Sequence, residues 1–203
     1  MPGFFRLALA RRCVPLVSGI MEHILARRSI RRYTDEPVSH DDIQRLLEAA
    51  MAAPSASNRR PWAFIVVTDP ERLTRLRSGL LFGRYHAPLS IVVCGDMRRA
   101  WPWPGRDFWI QDCSAATQNI LLAATGLGLG AVWIGVHPVA PLRQHVARVV
   151  GLPRWLRPLA VVHIGHPTMT KPPRTQYDEA AVHWQRYGGA RPAAMAGNAS
   201  GEE

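Results

Sequence analysis

Lysine is almost absent from this chain: Lys171 is the only one, although the formal charge is +10. The positive charge is therefore arginine, a planar fork of donors that keeps its proton. The arginines run from Arg6 to Arg191 and form no single basic tract with interleaved aromatics. A nucleic-acid face concentrates its charge on one stripe, so the distribution argues against one. Cysteine is scarce as well. Cys13, Cys94 and Cys113 are odd in number, widely spaced and lack a Cys-x-x-Cys pair. That excludes a disulfide framework or a thiolate metal site and suits a reducing cytosol. No apolar run reaches the roughly 20 residues of a membrane-spanning helix. No repeat with a period of roughly 20–50 residues is present. Residues 1–20 contain Arg6, Arg11 and Arg12 within a short apolar stretch, which leaves no signal-peptide core.

What remains is an ordinary globular composition, 47% hydrophobic and 20% charged, in a length suited to one domain. Residues 1–20 read as a disordered extension or an overlong start. Residues 21–189 read as one domain and 190–203 as a disordered tail. Met21 to Ala26 has helical spacing. Ser39 is a helix N-cap with Asp41 and Asp42 in the first turn, and Pro54 closes that helix. Trp62–Val67 is β-rich. Asp69-Pro70 opens a short helix carrying Leu73, Leu76 and Leu80. Leu89–Cys94 is a buried strand, and Asp107 to about Leu127 is a long helix apolar on most faces, suited to a core or a subunit interface. A strand over Ala131–Ile134, a helix over Val139–Val150 and a strand over Leu159–Ile164 follow. The order is helix, helix, strand, helix, strand, helix, strand, helix, strand.

Several motifs are set aside. Gly126-x-Gly128-x-Gly130 follows a helix and precedes a strand, the reverse of a dinucleotide fingerprint, and instead suits a left-handed helix end. His163-x-x-His166 has no ligand spacing, so no metal is expected. Ser55 and Ser114 lie in no Gly-x-Ser-x-Gly elbow. Asp41 and Asp42 face different ways on a helix and are first-turn charges. No side chain is nominated as a catalytic acid or base. The Trp101–Pro104 stretch is either a packing loop or a wall over a flat ligand.

Two stretches carry chemistry. Arg27-Arg28-Ser29-Ile30-Arg31-Arg32 holds four arginines and a hydroxyl, more than a helix end needs and suited to an anion such as phosphate. Ala53-Pro54-Ser55-Ala56-Ser57-Asn58-Arg59-Arg60-Pro61-Trp62 offers hydroxyls and an amide, which both donates and accepts and fits a heterocycle edge. Lys171 and Arg174 add two late cations. Together these suggest a phosphorylated aromatic cofactor.

These segments, with Gly128-Leu129-Gly130-Ala131-Val132-Trp133-Ile134-Gly135, Ile164-Gly165-His166-Pro167 and Tyr177–Trp184, resemble the FMN-dependent nitroreductase family from about Met21 to Gly188. The resemblance implies an α+β fold: a central mixed sheet flanked by helices in an intertwined homodimer, with FMN at each subunit interface. It implies flavin contacts from Arg27, Arg28, Ser29 and Arg31. Pro54, Ser55 and Asn58 would reach the flavin from the other subunit. Trp133, Ile134 and Gly135 would pass its ring, and Lys171 and Arg174 its phosphate. Arg60 stands where glutamine is common in that family, and its flavin contact is left open. The implied activity is ping-pong hydride transfer from NAD(P)H to a nitroaromatic or quinone, in the cytoplasm, with no nucleic acid or membrane as partner. Two alternatives stay open: another chemistry of the same fold, such as flavin fragmentation or reductive dehalogenation, and a non-catalytic basic nucleic-acid-binding module.

Overall fold

The structure, a computed structural model, describes residues 16–192. Two compact units divide between Pro173 and Arg174. The first contains all five described α-helices and the whole sheet. Helix α1 spans Leu16–Ala26, so it starts before Met21, and α2 spans His40–Met51. The Ser39 hydroxyl accepts from the Asp42 amide at 3.0 Å, fixing where α2 begins. A single 3-10 turn, Ala56–Asn58, precedes strand β1, Trp62–Val67. Helix α3, Pro70–Ser78, is capped by Asp69, whose carboxylate accepts from the Arg72 amide at 2.9 Å. Strand β2, Leu89–Asp96, leads to the long helix α4, Phe108–Gly126. Strand β3, Gly130–Gly135, helix α5, Ala140–Val150, and strand β4, Leu156–Gly165, complete the unit. No helix among the described residues is long and apolar enough to cross a membrane.

The strands lie in the order β1-β2-β4-β3, and every adjacent pair is antiparallel. The parallel component expected of a mixed sheet is the bridge between Ser29 and Ala131 on the β3 edge. Side chains of a strand alternate between faces, and β2 uses both. Ile91 and Val93 pack with α2 and α4 residues Leu46, Trp109 and Ile120. Val92 and Cys94 pack with α3 and α5 residues Leu76 and Val146. The result is a three-layer stack of helices, sheet and helices, which explains why β2 and β4 read as nearly continuous apolar runs. Gly128 adopts φ +73°, and the Leu129 amide donates to the Ala124 carbonyl at 2.8 Å. The glycine run thus ends α4, as its position requires. Cys94 and Cys113 are buried free thiols, and burial pushes the Cys94 thiol up to about 12, leaving it an inert core residue. Cys13 and the rest of 1–15 lie outside the described residues, as do 193–203 of the expected tail.

In the second unit Asp178 caps a 3-10 turn, Glu179–Ala181, accepting from the Ala180 amide at 3.0 Å.

Candidate cofactor site

The arginine segment leaves α1 at Ala26 and becomes extended rather than helical. Its backbone is stitched to the sheet. The Ile30 amide donates to the Ala131 carbonyl at 3.0 Å and the Thr34 amide to the His166 carbonyl at 2.9 Å. Ile30 and Tyr33 are buried, while Arg31 and Arg32 between them are exposed. The two apolar anchors therefore pin the strip down and turn its guanidiniums outward. The Tyr33 hydroxyl donates to the Ile30 carbonyl, and burial raises its pKa so that it stays protonated. Ordering is extended by cations that hold this segment's own backbone. Lys171 Nζ donates to the Ser29 carbonyl at 3.1 Å, and Arg28 donates to the Pro172 carbonyl.

Two cavities open on either side of this strip. Arg28 and Lys171 line one of about 160 Å³ with Thr125 and Gly128 from the end of α4. Arg31 lines the other, about 210 Å³, with Trp133, Ile134, Gly135, Phe82 and Tyr85. The Arg31 guanidinium lies 5.8 Å from the Tyr85 ring centroid and donates to the Ser29 carbonyl at 3.3 Å. A Cβ built on Gly135 meets nothing within 4 Å, so the strand passes the cavity with its backbone uncovered. The structure thus gathers Arg28, Ser29, Arg31, Trp133, Ile134, Gly135 and Lys171 around one strip, with half-buried Arg27 heading it.

Pro54, Ser55, Asn58 and Arg60 form a separate group. Pro54 and Ser55 line a cavity of about 350 Å³ with Phe108, Gln111 and Asp112 of α4. The Ala56 amide donates to Asp112 Oδ1 at 2.9 Å, and the Arg60 amide donates to Ser55 Oγ at 2.9 Å. Arg59 Nε donates to the Arg99 carbonyl at 2.7 Å, and its guanidinium lies 5.9 Å from the Trp101 ring. The loop and the Trp101 stretch are therefore joined. Asp112 serves one group and Thr125 the other, about 20 Å apart along a helix rising roughly 1.5 Å per residue. Strands β1 and β3, which adjoin the two groups, are the two edges of the sheet. Arg174 belongs to the second unit, where it donates to Gln176 Oε1 at 3.0 Å.

The profile of the Nitroreductase family matches residues 24–81 and 79–166. The chain belongs to the nitroreductase family. It is 45% identical over 150 residues to an Archaeoglobus fulgidus protein described as an NADH dehydrogenase/NAD(P)H nitroreductase, covering 72% of this chain and 84% of that one. It is 32% identical over 191 residues to the Bacillus subtilis FMN reductase [NAD(P)H], covering 84% and 75%. An FMN-dependent nitroreductase of Clostridium difficile superposes with a TM-score of 0.74 at 31% identity, covering 82% of this chain and 99% of that one.

In this nitroreductase-family chain, sequence reasoning missed Phe82, Tyr85 and Asp112. Asp112 had a signal: it is the only charged side chain within α4. Tyr85 had none, because only the packing of the Leu80–Pro88 loop brings it to Arg31. No cluster of three or more metal-ligating side chains occurs among the described residues.

Proposed function

We propose that the protein is an FMN-dependent oxidoreductase that carries hydride from NADH or NADPH to an oxidised acceptor, a nitroaromatic or a quinone, in ping-pong order. The observation that supports this most directly is the cavity where Arg31 faces the bare Gly135 backbone, next to the cationic Arg28–Lys171 cavity. The first suits a flat ring with a polar edge, and the second suits a phosphate. The donor set therefore fits FMN, which when bound supplies the redox chemistry that no side chain here provides. Arg31 would set a positive charge at the bound ring, where negative charge grows on reduction. Arg27, Arg28, Ser29 and Lys171 would hold the phosphate end. Trp133 and Ile134, which line that cavity, would shield the bound ring from water.

The Pro54, Ser55 and Asn58 group stands about 20 Å away along α4 at roughly 1.5 Å per residue. It completes the site only from a second copy, so the working form is a homodimer with the cofactor between subunits. Arg60, next to this group, adds an exposed cation to the same loop. The cytoplasm, with its nicotinamide pool, is the compartment this activity requires.

The deciding experiment is an absorption spectrum of the purified protein, before and after anaerobic addition of NADH or NADPH. A yellow protein that bleaches, and recovers on adding a nitroarene or quinone, is the expected result. A protein that takes up no FMN overturns the assignment. A yellow protein that neither nicotinamide bleaches overturns the donor.

A further inference from the structure

We infer that Asp112 is the positioning residue that holds the Pro54–Arg60 loop in the shape with which it reaches the cofactor. The inference rests on the proposed function only in taking Ser55 and Asn58 as cofactor contacts.

Three observations meet at this side chain. The first is its cost. Asp112 is only 5% exposed, in a helix whose neighbouring Trp109, Cys113 and Ala116 are fully buried. It has no salt bridge among the described residues, and Oδ2 has no hydrogen-bond partner there. Burying a carboxylate on such terms is unfavourable, and burial accordingly raises its pKa. Neither the helix nor the core requires it.

The second is its single contact. Oδ1 accepts from the Ala56 amide at 2.9 Å. Ala56 opens the 3-10 turn Ala56–Asn58, and amides at the start of a helical turn have no partner within it. Asp112 supplies that partner from across the cavity.

The third is the strain that follows. Ser57, Asn58 and Arg60 have φ of 48°, 52° and 48°. Side-chain-bearing residues rarely adopt this region, and three within four positions persist only where surroundings over-determine them. Besides the turn's own backbone bonds, from the Asn58 amide to the Ser55 carbonyl and from the Arg59 amide to the Ala56 carbonyl, the determinants are the Asp112 bond at the front of the turn and the Ser55 Oγ bond to the Arg60 amide behind it. Without the Asp112 bond, the turn is free to relax to negative φ, which carries Asn58 away from its present direction. A buried, otherwise unpartnered acceptor therefore does its work at a distance, through the backbone of the residues that follow.

The test compares the full-length wild type with Asp112→Ala, Asp112→Asn and Ala56→Pro. Asparagine keeps an acceptor oxygen and removes the charge. Proline at Ala56 removes the donor and leaves the carboxylate. Its ring is tolerated at the first position of a helical turn, and Ser55 before it already has the extended φ of −145° and ψ of 153° that proline demands. Two readouts are independent of turnover: the FMN dissociation constant from flavin fluorescence, and trypsin cleavage after exposed Arg59 in FMN-free protein. Arg60 precedes Pro61 and is resistant, so the Arg59 bond alone reports this loop.

Asp112→Ala and Ala56→Pro are expected to weaken FMN binding at least tenfold and to speed cleavage after Arg59. The double variant should be no worse than either alone, since both remove one bond. Asp112→Asn should stay within about twofold of wild type on both measures, as expected where only the acceptor matters. Two results overturn the inference: Asp112→Ala with wild-type binding and cleavage, or Asp112→Asn as impaired as alanine. If Asp112→Ala fails to fold, Ala56→Pro with wild-type values overturns it instead. A wild type that takes up no FMN overturns the proposed function, and the cleavage rates still decide the positioning.

Discussion

His163 is buried in β4 between two partners. Nε2 lies 2.9 Å from the Gly83 carbonyl and Nδ1 lies 2.8 Å from the Ser90 hydroxyl. A carbonyl only accepts, so Nε2 carries the proton, and in the neutral ring that burial favours Nδ1 accepts from the Ser90 hydroxyl. Burial lowers its pKa from 6.5. The folded state then resists a proton that the unfolded chain binds, so this contribution is complete above pH 6.5 and is lost as pH falls below it. His163→Leu, which also leaves the Ser90 hydroxyl and Gly83 carbonyl unpaired, should cost about 3 kcal/mol at neutral pH. Urea unfolding between about pH 7 and 5 should show a slope shallower by up to about 1.4 kcal/mol per pH unit than in wild type. Equal slopes would show that His163 titrates freely in the fold. Arg31→Ala tests the other side of the same loop, where Tyr85 and Phe82 meet the proposed ring site. Loss of one charge-assisted contact should weaken FMN about tenfold or more, seen by fluorescence titration, with the melting temperature unchanged because Arg31 is exposed. The arginine cluster was legible in sequence because it is local. Tyr85 is not legible there, and of Asp112 only its lone charge on α4 is, because each acquires its partner only when distant segments pack.

Local punctuation made the elements legible as well. Ser39, Asp69-Pro70 and Gly128 mark ends through bonds within a few residues, and the structure keeps all three. Strand β4 begins at Leu156, three residues before the apolar run that starts at Leu159, and includes Pro158, which cannot donate to a ladder. The strand runs from Leu156 because its register shifts between Val93 and Cys94 of β2. Leu159 is the unpaired residue of that bulge, and its carbonyl instead accepts from Val136 and His137. A proline beside a bulge loses nothing the ladder needed. Glycines of β3 separate packing from function in the same way. A Cβ on Gly130 would lie 2.7 Å from Ile30 Cγ2 and 3.2 Å from Pro167 Cβ. Gly130→Ala should therefore push the arginine strip off the sheet, costing about 1–3 kcal/mol and weakening FMN. Gly135→Ala adds its methyl to open space and should change stability by less than about 0.5 kcal/mol. Thermal melts of the two variants decide the matter: equal losses would mean that the strip is not held through Gly130.

At the scale of the molecule, the two halves of the proposed site belong to opposite ends of α4 and opposite edges of the sheet. On the proposed reading, Arg31 and Asn58 of one chain serve different ligands, since α4 between them is packed in the core with Trp109, Ile120 and Ala124. Two chains complete each site if each lends its Asn58 loop to the other's Arg31 strip. Complementation distinguishes this arrangement from a site built within one chain. Arg31→Ala and Asn58→Ala each damage both sites of a dimer made from one kind of chain. A mixed dimer of the two variants has one site carrying both lesions and one carrying neither. Co-expression with two different affinity tags, followed by tandem purification, should give a protein that binds about one FMN per dimer with wild-type affinity. It should recover up to about half of the wild-type rate, while each parent alone stays weak. Were the site built within one chain, every site in the mixed dimer would carry a single lesion and no wild-type affinity would reappear. The titration thus reads the topology of the site directly, because only exchange between subunits can separate the two substitutions onto one damaged site and leave the other whole.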